Sequence, residues 1–244
     1  MGIREFVRRR SALRGFASWD RPESMAGDRA EQGIAYLTRT LGRWHPDTVE
    51  ARHKLRWWLA KEGDPAAARR LAEEEVTART AEFGADHPDT LAARRELIQI
   101  TAKAVGSPAA ITEARALSED MRRVLGPTHP DTLLVRRQMG YLLRDNGDME
   151  AAIQLFTDML HELEALQPAR LEDLREVWYA LAIILERNGE LEQALVYVDR
   201  ELEAERMTIY RQDENIGQPN LKHMQAWRDR LRSEIAQEMM RRGR

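Results

Sequence analysis

The chain has 244 residues, enough for the core of one or two domains; 43% are hydrophobic, 6% aromatic and 32% charged, a balance that favours charged helices over a sandwich of β-branched strands. The formal net charge is −3, so a nucleic-acid or anionic-membrane partner would need a local patch rather than a global field. No cysteine is present, which excludes disulfides, thiolate metal sites and cysteine nucleophiles.

Residues 1–22 form a basic arm. Its "MGIREFVRRRSALRGFASWD" carries five arginines against Glu5 and Asp20, with Ile3, Phe6, Val7, Leu13 and Phe16 spaced for an amphipathic helix. The arm lacks the apolar core of a signal peptide, and no apolar run reaches the eighteen or so residues of a membrane span, so a cytoplasmic location is the expectation. Residues 23–44 read as a half-repeat that caps the repeats beginning at residue 45.

The tetrapeptide HPDT occurs at 45–48, 87–90 and 129–132, each 42 positions after the last. Gly42, Gly84 and Gly126 stand three residues before the three histidines. Each row of this period reads as two helices. The stretch from Pro46 to about Glu62 places Val49, Leu55, Trp58 and Leu59 close to helical spacing and stops at Gly63. Pro is tolerated in a first helical turn, and the Asp and Thr side chains are expected to accept the orphan amides there. A second helix is expected from about Pro65 to Phe83, with Gly84 in the left-handed conformation that ends it. Gly63, Gly147 and Gly189 share a column, as do Ala68, Ala110, Ala152 and Ala194, and Leu55, Leu97, Met139 and Leu181. In the second row Gly106 comes one place late, which predicts a first helix one residue longer and a second one shorter. The fourth row keeps the pattern without HPDT. After it, Leu221, Met224, Trp227, Leu231, Ile235 and Met239 fit a helix that closes the last repeat.

This pattern resembles the tetratricopeptide repeat in the 42-residue form found in kinesin light chains and many bacterial proteins. Met139, Gly140, Leu143, Ala152 and Phe156 match the packing columns of that family in the third row, and Trp178, Leu181, Ala182, Leu185 and Ala194 do so in the fourth. Arg56 and Ile98 depart from it, in a column where the family prefers Gly or Ala. The resemblance implies an all-α, right-handed α-solenoid of helix-turn-helix repeats with helical caps: the arm at 1–22, the half-repeat at 23–44, four repeats at 45–86, 87–128, 129–170 and 171–212, and a capping helix at 213–244.

No phosphate loop, dinucleotide fingerprint, nucleophile elbow or CxxC pair is present, and no enzyme, cofactor or metal is expected. Histidines in equivalent positions of successive repeats stand at least one helix-packing distance apart, roughly 8–10 Å, too far to converge on one zinc ion; His161 and His223 read as surface residues. Glu73, Glu74 and Glu75 read as a solvated helix face. Arg52, Arg94 and Arg136 share a column facing adjacent helices and predict an ion-pair ladder.

In the family, the first helix of each pair lines a concave groove. Carrying over those columns gives His53, Lys54, Trp57 and Lys61, then Arg95, Gln99 and Lys103, then Arg137, Tyr141 and Arg144, and last Tyr179 and Ile183. Such a surface suits a protein or peptide whose segment joins carboxylates to apolar side chains. The expected function is a non-catalytic protein-interaction module or adaptor. The alternative is an accessory or regulatory protein of a bacterial pathway that acts through dimerisation, or by sensing nucleic acid or a small ligand. The net charge and scarcity of lysine argue against nucleic acid, and a lone basic helix binds membranes only weakly. A homodimer through a terminal segment is the expected assembly.

Overall fold

The computed structural model describes residues 26–209 and 218–242; the arm at 1–22 lies outside the described residues. Ten helices follow one another among them: α1 Ala26–Leu41, α2 Pro46–Glu62, α3 Pro65–Phe83, α4 Pro88–Ala104, α5 Ser107–Leu125, α6 Pro130–Asn146, α7 Met149–Glu164, α8 Leu171–Arg187, α9 Leu191–Ile209 and α10 Gln218–Arg242. No strand occurs among the described residues. They fall into two compact units that meet in sequence between Ala109 and Ala110.

HPDT starts a helix each time, by a different atom from the one expected. His45, His87 and His129 are the N-caps, held extended at φ −64°, −67° and −62°. Their Nδ1 atoms accept the backbone N–H of Asp47, Asp89 and Asp131 at 3.3, 3.2 and 3.2 Å. The aspartates stand in the first turn, where the helix dipole favours a negative charge. Thr48, Thr90 and Thr132 are wholly buried and their hydroxyls make no hydrogen bond. The cap therefore belongs to histidine, because its ring nitrogen reaches back to the second amide from an extended backbone.

Two expectations about the connectors are corrected. Gly84 has φ 95° but ψ 162°, an extended mirror-image conformation open essentially to glycine alone, instead of the left-handed helical one. The late Gly106 changes neither helix length: α2 and α4 both have 17 residues, and α3 and α5 both have 19. The slip is absorbed in the two residues between helices, where Val105 takes the cap position at φ −125°.

In the first unit α1 packs on α2, α2 on α3 and α3 on α4. Ala30, Leu37, Ala51 and Leu55 form one buried cluster, and Ala68, Ala72 and Ile100 another. Trp44 lies 5.0 Å from Phe83, and Phe83 stacks on His87 at 4.9 Å, so one connector is clasped to the next. In the second unit α6 packs on α7, α7 on α8, α8 on α9 and α9 on α10. Here Gly140 admits the ring of Phe156, and Met139, Leu143 and Ala152 are buried around them. The terminal helix α10 buries Met224, Trp227 and Leu231. The Trp227 indole N–H donates to Glu186 at 2.7 Å. Its apolar stripe then runs out into solvent, where Met239 is 66% exposed.

Candidate binding surfaces

Arg56 stands in α2 where Gly140 stands in α6, one column and two periods apart, and it is only 3% exposed. Without a small residue there, the helices leave room for a guanidinium, which must be paired to stay buried. Its Nε and one terminal nitrogen donate to the two oxygens of Glu96 in α4, both at 2.9 Å. Its other nitrogen lies 4.0 Å from Glu75 in α3. Glu75 is 2% exposed and also receives Arg52 at 3.0 Å and Arg79 at 2.8 Å. Reading Glu73, Glu74 and Glu75 together as a solvated face is thus right for the first two and wrong for Glu75. The expected arginine ladder is seen at Arg52 with Glu75 and at Arg136, buried against Glu162.

The network sets the charge states around it. Burial alone would raise the Glu96 carboxyl, but hydrogen bonds from His53 and Arg56 outweigh it and hold it at about 2. His53, whose Nδ1 is 3.1 Å from Glu96, is raised above its ordinary value by that bond. Burial pushes Arg52 down against the pull of Glu75.

Beside the network lies a cleft of about 350 Å³, lined by His53, Arg56, Arg79, Arg95, Glu96 and Gln99 among others. His53, Arg95 and Gln99 therefore line one cleft. His53 is tethered to Glu96, whereas Arg95 is half-buried and makes no ion pair among the described residues. Trp57 is 56% exposed with Lys61 over its ring at 4.8 Å. Lys54 is spent on Glu50, one turn back, at 2.7 Å.

In the second unit Arg137 is already paired with Glu176. Tyr141 packs on Phe156 at 5.8 Å beneath the Arg144 guanidinium, and burial raises its hydroxyl. Tyr179 sets its edge on Trp227 at 5.7 Å, and two adjoining clefts open beside it. The repeat columns do not predict these clefts, because the other wall comes from α10, which the columns do not reach. Among the described residues no group of histidines and carboxylates has the arrangement to hold a metal ion.

Residues 48–89 match the family model for a tetratricopeptide repeat. The TPR-like repeats of the kinesin light chain type from Podosopora anserina superpose with a TM-score of 0.63 at 20% identity, covering 83% of this chain and 93% of that one. Residues 48–89 are thus similar to a tetratricopeptide repeat, and the fold of the chain is that of tetratricopeptide-repeat solenoids. BtubC (BKLC) from P. vanneervenii is also similar, with a TM-score of 0.59 at 16% identity, covering 75% of this chain and 73% of that one. No curated protein sequence matches. The fold is all-α, of the helix-turn-helix solenoid class, as expected. A tetratricopeptide repeat is in general a protein-interaction module, and such proteins are typically non-catalytic scaffolds. No helix among the described residues is long and apolar enough to cross a membrane. The column that is small in tetratricopeptide repeats holds Arg56, Ile98, Gly140 and Ala182 in this chain, so only the first row turns that column into an electrostatic centre.

Proposed function

We propose that the chain is a non-catalytic adaptor of the cytoplasm that binds a polypeptide segment bearing carboxylates beside apolar side chains. The reading takes residues 45–212 as four repeats between the half-repeat at 23–44 and the capping helix at 213–244. His53, Lys54, Trp57, Arg95 and Gln99 supply contacts in the first unit, and Arg137, Tyr141 and Tyr179 in the second. The observation that carries it is Arg95: a half-buried guanidinium in a cleft wall with no carboxylate of its own among the described residues. The same unit also exposes a tryptophan, Trp57, on α2. Buried or half-buried arginine is stabilised by a bidentate acid, and an exposed indole offers area at low entropy cost.

The test is affinity capture of a partner by the purified chain, followed by calorimetry with its isolated acidic segment. Arg95→Glu is expected to weaken binding by about 1–3 kcal/mol or more, and Trp57→Ala to weaken it as well, while circular dichroism stays unchanged. Arg137→Glu is expected to act less cleanly, since it sets a second carboxylate against Glu176. Undiminished affinity of the Arg95 variant defeats the reading. A second reading, regulation through dimerisation, draws on Met239 and Met240 at the end of α10, 66% and 71% exposed; light scattering that gives the mass of one 28.2 kDa chain at high concentration excludes it.

A further inference from the structure

A cleft of about 480 Å³ in the second unit has the opposite charge to the one beside Arg95. Glu172, Arg175, Tyr179, Glu201, Glu205 and His223 line it. Arg175 is the one permanent cation among the described residues of its wall, and it is committed: Nε and a terminal nitrogen both donate to the same oxygen of Glu201, at 3.0 and 2.8 Å, and that terminal nitrogen also meets Glu205. The second oxygen of Glu201 is left buried without any hydrogen-bond partner, on a side chain nine-tenths buried in the cleft wall. Glu172, at the mouth, makes no ion pair among the described residues. Arg175 thus serves Glu201 and Glu205, Glu176 of the same wall is met by Arg137, and one buried acceptor on Glu201 is left unsatisfied. A native fold retains such an acceptor at a cost unless something else donates to it.

The remaining wall is aromatic. Tyr179 is 39% exposed and faces this cleft and an adjoining one of about 390 Å³ lined by Ile183, Trp227 and Arg230. The Tyr179 ring is fixed by its edge contact with Trp227, which is itself pinned by Glu186. A planar cation meeting a tyrosine face on one side and carboxylates on the other gains from both. An anion is repelled by the same wall. A bare divalent ion is disfavoured, because the Arg175 guanidinium already occupies the point where the carboxylates converge.

We propose that this cleft receives a basic side chain, an arginine or a lysine, presented by a polypeptide partner. The proposal rests on the reading of the chain as an interaction module and on the position of Tyr179, but not on the acid-binding cleft of the first unit. The probe is a short blocked peptide carrying one arginine between leucines, titrated into the full chain to millimolar concentration while the indole N–H resonance of Trp227, assigned with Trp227→Phe, is followed by NMR. A saturable shift is expected with the arginine peptide, and affinity at least ten-fold lower when citrulline replaces arginine. Glu172→Gln, at the exposed mouth, is expected to lower affinity several-fold without disturbing the fold, and Tyr179→Ala to do the same. Glu201→Gln removes the buried acceptor's charge, and only if it folds is it expected to abolish binding. Arg95→Glu leaves this titration unchanged, so failure here and failure of the acidic-segment reading are read out separately. Equal binding of the citrulline peptide, indifference to Glu172→Gln, or binding of free arginine without binding of the peptide each overturns the proposal.

Discussion

A Cβ placed on Gly140 would lie 2.3 Å from Cε2 of Phe156 and 2.6 Å from its Cζ. Phe156 is completely buried, so its ring has no free direction in which to yield. In a helix interior alanine is otherwise preferred to glycine by about 1 kcal/mol. Overpacking a filled core costs about 1–3 kcal/mol, and here it is expected to win: Gly140→Ala should lower stability in urea denaturation. The same column carries a buried isoleucine in the second row, and Ile98→Ala should destabilise through the opposite fault, a cavity, by about 2–5 kcal/mol.

Arg56 and Glu96 should respond asymmetrically. Removing the carboxylate by Glu96→Ala strands a buried guanidinium and is expected to cost about 3–5 kcal/mol. Removing the cation by Arg56→Met should cost less, since Glu96 keeps His53 and Glu75 keeps Arg52 and Arg79. The double change Arg56→Met with Glu96→Leu should recover most of the loss of Glu96→Ala, measured by chemical denaturation. A double variant weaker than the sum of its parts contradicts this.

The same pair sets the dependence on pH. Glu96 has its folded pKa depressed from 4.5 to about 2, so its contribution is full above about pH 4.5 and is lost as pH falls towards about 2. His53 is raised above 6.5 by its bond to Glu96; its contribution is full below that value and is lost as pH rises through the raised one. Melting temperatures taken across pH should therefore show both limbs. Glu96→Gln should flatten the acid limb, and His53→Ala the limb above pH 6.5.

The caps offer a finer test of the tetrapeptide. His45→Ala, His87→Ala and His129→Ala should each cost about 1 kcal/mol, while the asparagine substitutions keep an acceptor and should cost little. Asp89→Ala loses only the charge at the helix start, about 0.3–1 kcal/mol. If aspartate were the cap, the order of these losses would reverse, and thermal denaturation distinguishes the two.

Features that are local or periodic are legible in the sequence. The helix starts at Pro46, Pro88 and Pro130 and the stop at Gly63 depend on signals within a few residues. Phe156 against Gly140 follows from a column that recurs each period. The contact of Arg56 with Glu96 spans forty positions and two helices, and no local signal announces it. One clue is present: an arginine in a column that wants a small residue needs an acid nearby, and the solvated neighbours Glu73 and Glu74 disguise Glu75 as one of their kind. Leu231 and Met239 share one stripe in sequence, yet the first is buried and the second bare, because a stripe shows which face is apolar and not how far its partner extends. The repeat columns single out Tyr141 and Tyr179, but the acidic wall beside Tyr179 is assembled from α8 and α9, and the terminal helix adds His223 and Met224.

The connectors carry a consequence in genetic terms. Helix lengths in the first two rows are indifferent to where the glycine falls in the short connector, and each of the first three periods opens on the same histidine cap, with a glycine closing the one before it. An in-frame duplication or deletion of one such period therefore joins a finished ending to a finished beginning. Neither helix has to acquire a new start or stop, and the clasp of Phe83 on His87 needs only its neighbour to be of the same kind. A gene built this way is free to change the number of its repeats by recombination while point mutation works separately on columns such as 56, 98, 140 and 182, where each row has come to hold a different side chain.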